Sequence, residues 1–323
     1  MTRLTCLSFT SALMLAIAIA TGCGSPQLPT REFSISPSPI SPSPVATPSV
    51  KAAETPNHPE FTEELENEAT QFVQAPKPRR TLDDRLLFFP SKHPDGNWEP
   101  ERLQYQDVWM TAADKTRIHG WYCPVDKPLA HVLFAHGNAG NITHRASLLA
   151  MLQAMGISAL AFDYRGYGKS EGLPSKDGVV QDGAAARTKL ASLGGVRERD
   201  VVLMGRSLGG AVVIQLAADA PARGLIVESS FSSLSDVAKH HYPRLAWIVN
   251  PDSLNSTAAL AKYRGPFLQS HGDADRTIPF ALGKKLFESA NEPKRFVTIA
   301  RGDHNSPQSA EYYRALAEFI TSL

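Results

Sequence analysis

Between residues 131 and 299, short apolar runs that do not alternate with polar residues are separated by stretches of helical periodicity. A strand covered on one face alternates apolar with polar; a continuously apolar strand is covered on both. The pattern therefore predicts an α/β architecture: a mostly parallel central sheet with helices on both faces. Strands are expected at 131–134, 158–162, 201–204, 225–227, 266–270 and 296–299, and helices at 143–155, 178–193, 208–218, 280–289 and 310–322. Ahead of them, 104–110 and 117–123, joined by Ala112-Ala113-Asp114-Lys115, predict an antiparallel N-terminal hairpin. Ligands of such sheets bind at the carboxyl ends of the strands, so the loops that follow strands carry the chemistry.

The most informative loop lies in Val201-Val202-Leu203-Met204-Gly205-Arg206-Ser207-Leu208-Gly209-Gly210. It is an apolar strand, a Gly-x-Ser-x-Gly turn and a small-residue helix, the context of a nucleophile elbow. A sharp turn there exposes the Ser207 Oγ above the sheet, and Gly205 and Gly209 keep the neighbouring backbone clear. The helix start also brings free N–H groups and positive dipole to Ser207. The plainer reading is a tight strand-to-helix turn with a capping serine.

A serine hydroxyl is a weak nucleophile at neutral pH and needs a base that is itself oriented by an acid. The chain order on this kind of scaffold is serine, acid, histidine. The strand at 266–270 is followed by His271-Gly272-Asp273-Ala274-Asp275, and the strand at 296–299 by Arg301-Gly302-Asp303-His304. Chain order and the final strand make His304 the expected base, with His240, His241 and His271 left to structural roles. Spacing leaves the acid open between Asp273 and Asp275. The loop His136-Gly137-Asn138-Ala139-Gly140-Asn141 is glycine-rich, but no Gly-Lys-Ser/Thr follows it, so it is not a phosphate loop.

From about Gln104 onward these strings, with Asp163-Tyr164-Arg165-Gly166-Tyr167-Gly168 and Ile278-Pro279, resemble α/β-hydrolases of the small-lid kind. These include the depalmitoylase-like domain proteins and the prolyl-oligopeptidase-like branch. The resemblance implies the α/β-hydrolase fold and a Ser207, Asp275, His304 triad, the acid being the last residue of His-Gly-x-x-Asp. Asp273 is then left to a local turn hydrogen bond. It further implies an oxyanion hole from the backbone N–H groups of Asn138 and Leu208, and a small lid at about 232–265. Within that lid, Trp247 and Ile248 read equally as site-covering or as core. Asp163 and Arg165 are expected to brace loops near the site. The implied activity is cleavage of an ester or thioester through an acyl-enzyme, with no metal or organic cofactor. A peptidase or amidase, an acyltransferase and a non-catalytic envelope binding protein are the alternative uses of the scaffold.

The N-terminus reads as an address. Arg3 precedes an apolar stretch at 7–20, and small residues lead to Cys23, a secretory signal pattern. Ile19-Ala20-Thr21-Gly22-Cys23 resembles a bacterial lipobox, which implies cleavage before Cys23 and its acylation. Residues 23–80 include Ser36-Pro37-Ser38-Pro39 and Ser41-Pro42-Ser43-Pro44, a Pro/Ser-rich tether, with a short acidic helix expected at 60–74. The expected organisation is a signal peptide at 1–22, the tether at 23–80 and the hydrolase domain at 81–323, exported and lipid-anchored in the cell envelope. The formal net charge of +1, with scattered cations, gives no case for nucleic acid. The three cysteines form no CxxC pair, so neither a zinc site nor a disulfide framework is expected, and Cys123 reads as a small, partly buried hydrophobe.

Overall fold

The computed structural model describes residues 81–323; the signal segment, Cys23, the tether and the acidic helix expected at 60–74 lie outside the described residues. A short helix, α1 (Leu82–Leu87), leads into the two-residue strand β1 (Phe89–Pro90). The hairpin β2 (Gln106–Thr111) and β3 (Arg117–Cys123) follows, then β4 (Ala130–Ala135), the short β5 (Ala139–Gly140), α2 (Ala146–Ala154) and β6 (Ile157–Phe162). Next come α3 (Lys176–Gly194), β7 (Val202–Arg206), α4 (Leu208–Asp219) and β8 (Gly224–Glu228). The segment expected as a lid carries α5 (Leu234–His241), a 3-10 turn (Ala246–Ile248) and α6 (Ser256–Leu260), of which α6 packs into the core through Ala259 and Leu260. β9 (Phe267–Gly272), α7 (Phe280–Glu288), β10 (Lys294–Ile299) and α8 (Ala310–Ser322) complete the domain.

The main sheet has the order β10-β9-β8-β7-β4-β6-β3-β2. β6 through β10 and β4 are parallel, while β2 and β3 pair antiparallel and β3 joins β6 antiparallel. The chain runs from β4 to β6 on one side and returns to β7 on the other. The strand order thus reverses between β4 and β7, and a crevice opens at their carboxyl ends.

Side chains along the strands alternate between two cores. Leu133, Leu160, Leu203 and Leu225 face the layer built from α3, α4, α6 and α7. Val132, Phe134, Ala161, Met204 and Ile226 face α2 and α8. Each fully buried Val, Leu, Ile, Phe or Met side chain among them contributes about 1.5–3 kcal/mol, so a one-residue slip of register is strongly disfavoured.

The helix expected at 143–155 starts instead as a 3-10 turn (Ile142–Arg145) before α2. The Asn141 side chain explains the start: its Oδ1 accepts from the Thr143 N–H at 3.0 Å and its Nδ2 donates to the Asp95 carbonyl at 2.8 Å. Trp247 is 81% exposed, so the core reading fails for it; Ile248 is half-buried. Cys123 is fully rather than partly buried, and burial pushes its thiol up to about 12. Arg165 braces as expected: its Nη2 and Nε meet Asp182 at 2.7 and 3.0 Å, and its Nη1 meets Asp114 at 2.8 Å, all three residues buried. Among the described residues no helix is long and apolar enough to cross a membrane.

Candidate active site

The turn from β7 into α4 places Ser207 at φ +55°, ψ −119°, a backbone conformation that residues other than glycine rarely adopt. The turn is held from both sides. Its N–H donates to the Glu228 carbonyl at 2.8 Å, and its carbonyl accepts from the Ser230 Oγ at 2.8 Å. A Cβ at Gly209 would collide with the Ala135 carbonyl, which is why α4 passes this close to β4 only with glycine there.

His304, in the loop after β10, points its Nε2 at the Ser207 Oγ, 3.0 Å away. Its Nδ1 lies 2.8 Å from the Asp275 Oδ2. A carboxylate only accepts, so Nδ1 carries the proton and Nε2 presents a lone pair to the serine hydroxyl. The Asp275 side chain is fully buried at the end of β9. Its Oδ1 accepts from the Thr277 and Ile278 N–H groups at 2.9 and 2.8 Å. Burial alone would raise this carboxyl, but hydrogen bonding to His271, His304 and the Ile278 N–H holds it well below the usual carboxylate range.

Asp273 does not bond within its own turn. Its Oδ1 accepts from the Arg301 N–H at 2.6 Å, across to the histidine loop. The two loops are joined again by Ala274 N–H to the Gly302 carbonyl at 3.0 Å and by Arg276 N–H to Asp303 at 3.3 Å. Asp273 thus fixes the base's loop rather than the base. Arg206 does the same from the elbow, its Nη2 donating to the His304 carbonyl at 2.6 Å. The sequence reading missed this clamp; a cation beside the nucleophile was its only local sign.

The register Ala135↔Gly205 sets residues 136–138 beside residues 206–208. A Cβ at Gly137 would stand 3.6 Å from that of Ser207. The Asn138 side chain turns to the Leu87 carbonyl at 3.0 Å, leaving only its backbone to face the elbow. Among the described residues no acceptor takes the backbone N–H of Asn138 or of Leu208, the latter being the first residue of α4, where no carbonyl lies one turn back. The end of α5 is tied to the acid loop, His241 Nε2 donating to the Thr277 carbonyl at 2.8 Å. Among the described residues no group of three or more His, Cys, Asp or Glu side chains is placed to hold a metal ion.

Comparison with known proteins agrees with the fold. The family model described as serine aminopeptidase, S33, matches residues 126–257. An uncharacterised Mycobacterium tuberculosis protein is 35% identical over 230 residues, covering 69% of this chain and 81% of its own length. The α/β hydrolase domain-containing protein WAV2 of Arabidopsis thaliana is 32% identical over 229 residues, covering 64% and 74%. Among solved structures, the Pyrococcus furiosus esterase Pf2001 superposes with a TM-score of 0.61 at 20% identity, covering 72% of this chain and 98% of its own. Acetyl xylan esterase 1 from Thermoanaerobacterium gives 0.57 at 18% identity, covering 70% and 86%. With the sheet order, the elbow and these relatives in agreement, the chain belongs to the α/β-hydrolase superfamily.

Proposed function

We propose that the chain is a serine hydrolase that cleaves esters or thioesters through an acyl-enzyme on Ser207. The observation that carries this reading is the unbroken line from Asp275 Oδ2 to His304 Nδ1 at 2.8 Å and from His304 Nε2 to Ser207 Oγ at 3.0 Å. The Oγ attacks the acyl carbonyl while Nε2 takes the hydroxyl proton. Asp275 holds the ring in the required tautomer and stabilises the imidazolium. The backbone N–H groups of Asn138 and Leu208 receive the developing oxyanion, a contribution of several kcal/mol when donors are fixed in advance. The carbonyl reforms, the alcohol or thiol leaves with the proton from Nε2, and water repeats the sequence to release the acid and restore Ser207.

The esterase names of the Pyrococcus and Thermoanaerobacterium structures support an ester substrate. The serine aminopeptidase description of the matching family supports an amide as the second substrate class. Cys23 supplies the proposed lipid anchor, which would hold the hydrolase at a membrane in the cell envelope.

The test is labelling of the full chain with a fluorophosphonate, together with turnover of short and long p-nitrophenyl esters, thioesters and amino-acid anilides. Ser207→Ala is expected to abolish labelling and to lower turnover by roughly 10⁴-fold or more. Labelling and turnover that persist in Ser207→Ala would remove this serine from the chemistry. Anilides turned over faster than esters would favour the peptidase reading.

A further inference from the structure

The loop that supplies the Asn138 N–H has its carbonyls engaged one after another. Tyr164 Oη donates to the His136 carbonyl at 2.7 Å. The His136 ring donates from Nδ1 to the Gly137 carbonyl at 2.7 Å. Tyr167 Oη donates to the Asn138 carbonyl at 2.7 Å, and the Phe89 N–H donates to the same oxygen at 2.9 Å. The Ser91 N–H takes the Gly140 carbonyl at 3.1 Å. All three rings, His136, Tyr164 and Tyr167, are fully buried.

Half of this bracing comes from a segment some fifty residues earlier in the chain. β1 pairs in parallel with β5, Phe89 opposite Ala139 and Pro90 opposite Gly140. The Asn138 Nδ2 closes the ladder by donating to the Leu87 carbonyl at 3.0 Å. The far side of the segment is bonded too: Gly168 N–H to the Ser91 carbonyl at 2.9 Å and His93 N–H to the Gly168 carbonyl at 3.0 Å. Residues 87–93 are therefore a strap laid between the Asn138 loop and the Tyr167-Gly168 turn, hydrogen-bonded to both.

A two-residue ladder contributes little to the stability of a domain this size, so its place matters more than its strength. A peptide unit is planar. Fixing the Gly137 carbonyl fixes the direction of the Asn138 N–H on the same plane, and fixing the Asn138 carbonyl fixes the plane that follows. Donors aimed in advance at an oxyanion cost no reorganisation when the charge appears. We propose that residues 87–91 are a positioning element of the oxyanion hole, acting with His136, Tyr164 and Tyr167 to aim the Asn138 N–H at the acyl carbonyl above Ser207. The proposal rests on the acyl-transfer reading of the site. It also makes the opening stretch of the domain part of the site's geometry.

The experiment uses two variants of the full chain. Phe89→Pro deletes the backbone N–H given to Asn138; Tyr167→Phe deletes only a hydroxyl from an otherwise intact ring. Steady-state hydrolysis of p-nitrophenyl acetate is measured beside amide hydrogen exchange across residues 136–141 and the urea unfolding midpoint. In both variants kcat is expected to fall on the order of tenfold with KM little changed, because an oxyanion donor acts only in the transition state. Exchange at 136–141 is expected to rise while the rest of the sheet and the midpoint hold. Wild-type kcat and exchange in both variants would overturn the proposal. So would a loss in Tyr167→Phe accompanied by raised exchange throughout the sheet, which marks a structural role. If the wild-type chain turns over neither esters nor amino-acid anilides, the acyl-transfer reading fails by itself. Exchange then still decides whether the strap orders the loop: a rise confined to 136–141 supports it, and none overturns it.

Discussion

At the scale of single residues, the two aspartates after β9 separate by what they touch. Asp275 meets the His304 ring, whereas Asp273 meets the Arg301 backbone. Asp275→Asn offers an amide where the imidazole needs an acceptor and favours the wrong tautomer, so kcat is expected to fall by about 10³–10⁴-fold. Asp273→Asn keeps an oxygen that can accept from Arg301 and is expected to lose less than about tenfold. The reverse ranking in p-nitrophenyl ester kinetics would reassign the acid. A linked effect appears in stability. An unfolded aspartate titrates near about 3.9, and in the fold hydrogen bonding holds Asp275 ionised below that, against the effect of burial. A depressed carboxyl contributes stability that is present above its unfolded value and is lost as pH falls through its folded one. The gap in unfolding free energy between wild type and Asp275→Asn should therefore narrow as pH is lowered from about 4 towards 2, followed by urea unfolding.

At the scale of elements, the loop after β6 is braced by a buried cation. Arg165 spans Asp182 on α3 and Asp114 in the hairpin turn, all of them buried. Arg165→Met removes the charge and leaves two buried carboxylates without it, and a destabilisation of about 3–5 kcal/mol is expected from the urea midpoint. Arg165→Lys should recover only part of it, since one ammonium cannot fork to both acids; full recovery would mean that charge alone suffices. Arg165 was legible as a brace, and so was Asp163, whose Oδ1 accepts from the Ile142 N–H at 2.9 Å. So were the strands, because a short, continuous apolar run bounded by turn residues marks a strand covered on both faces. The elements that escaped the sequence reading share a cause. β1 and β5 are two residues each, too short for any period, and form where the Phe89 and Ser91 N–H groups meet the Asn138 and Gly140 carbonyls. The Arg206 bond to the His304 carbonyl and the Asp273 bond to Arg301 join loops that local pattern cannot pair. Residue types and chain order point to chemistry, but the contacts that aim it are long-range. Trp247 shows the converse: apolar character left core and surface equally open, and the fold leaves the ring in solvent.

At the scale of the whole molecule, the proposed hydrolase and the proposed anchor are separable, and one substitution tests that. The proposed attachment is the lipobox-like string ending at Cys23; among the described residues no helix is long and apolar enough to cross a membrane. One acyl chain gives only marginal, reversible binding, whereas two or more give stable anchoring at about 0.8 kcal/mol per buried methylene. Serine at position 23 removes the thiol on which that chemistry would begin and leaves the residues around Ser207 untouched. Cys23→Ser is therefore expected to move the protein from the membrane to the soluble fraction after cell lysis, with fluorophosphonate labelling of Ser207 retained. Wild-type membrane retention in Cys23→Ser would overturn lipidation without touching the triad. Release accompanied by loss of labelling would mean that the anchor and the hydrolase are not separable.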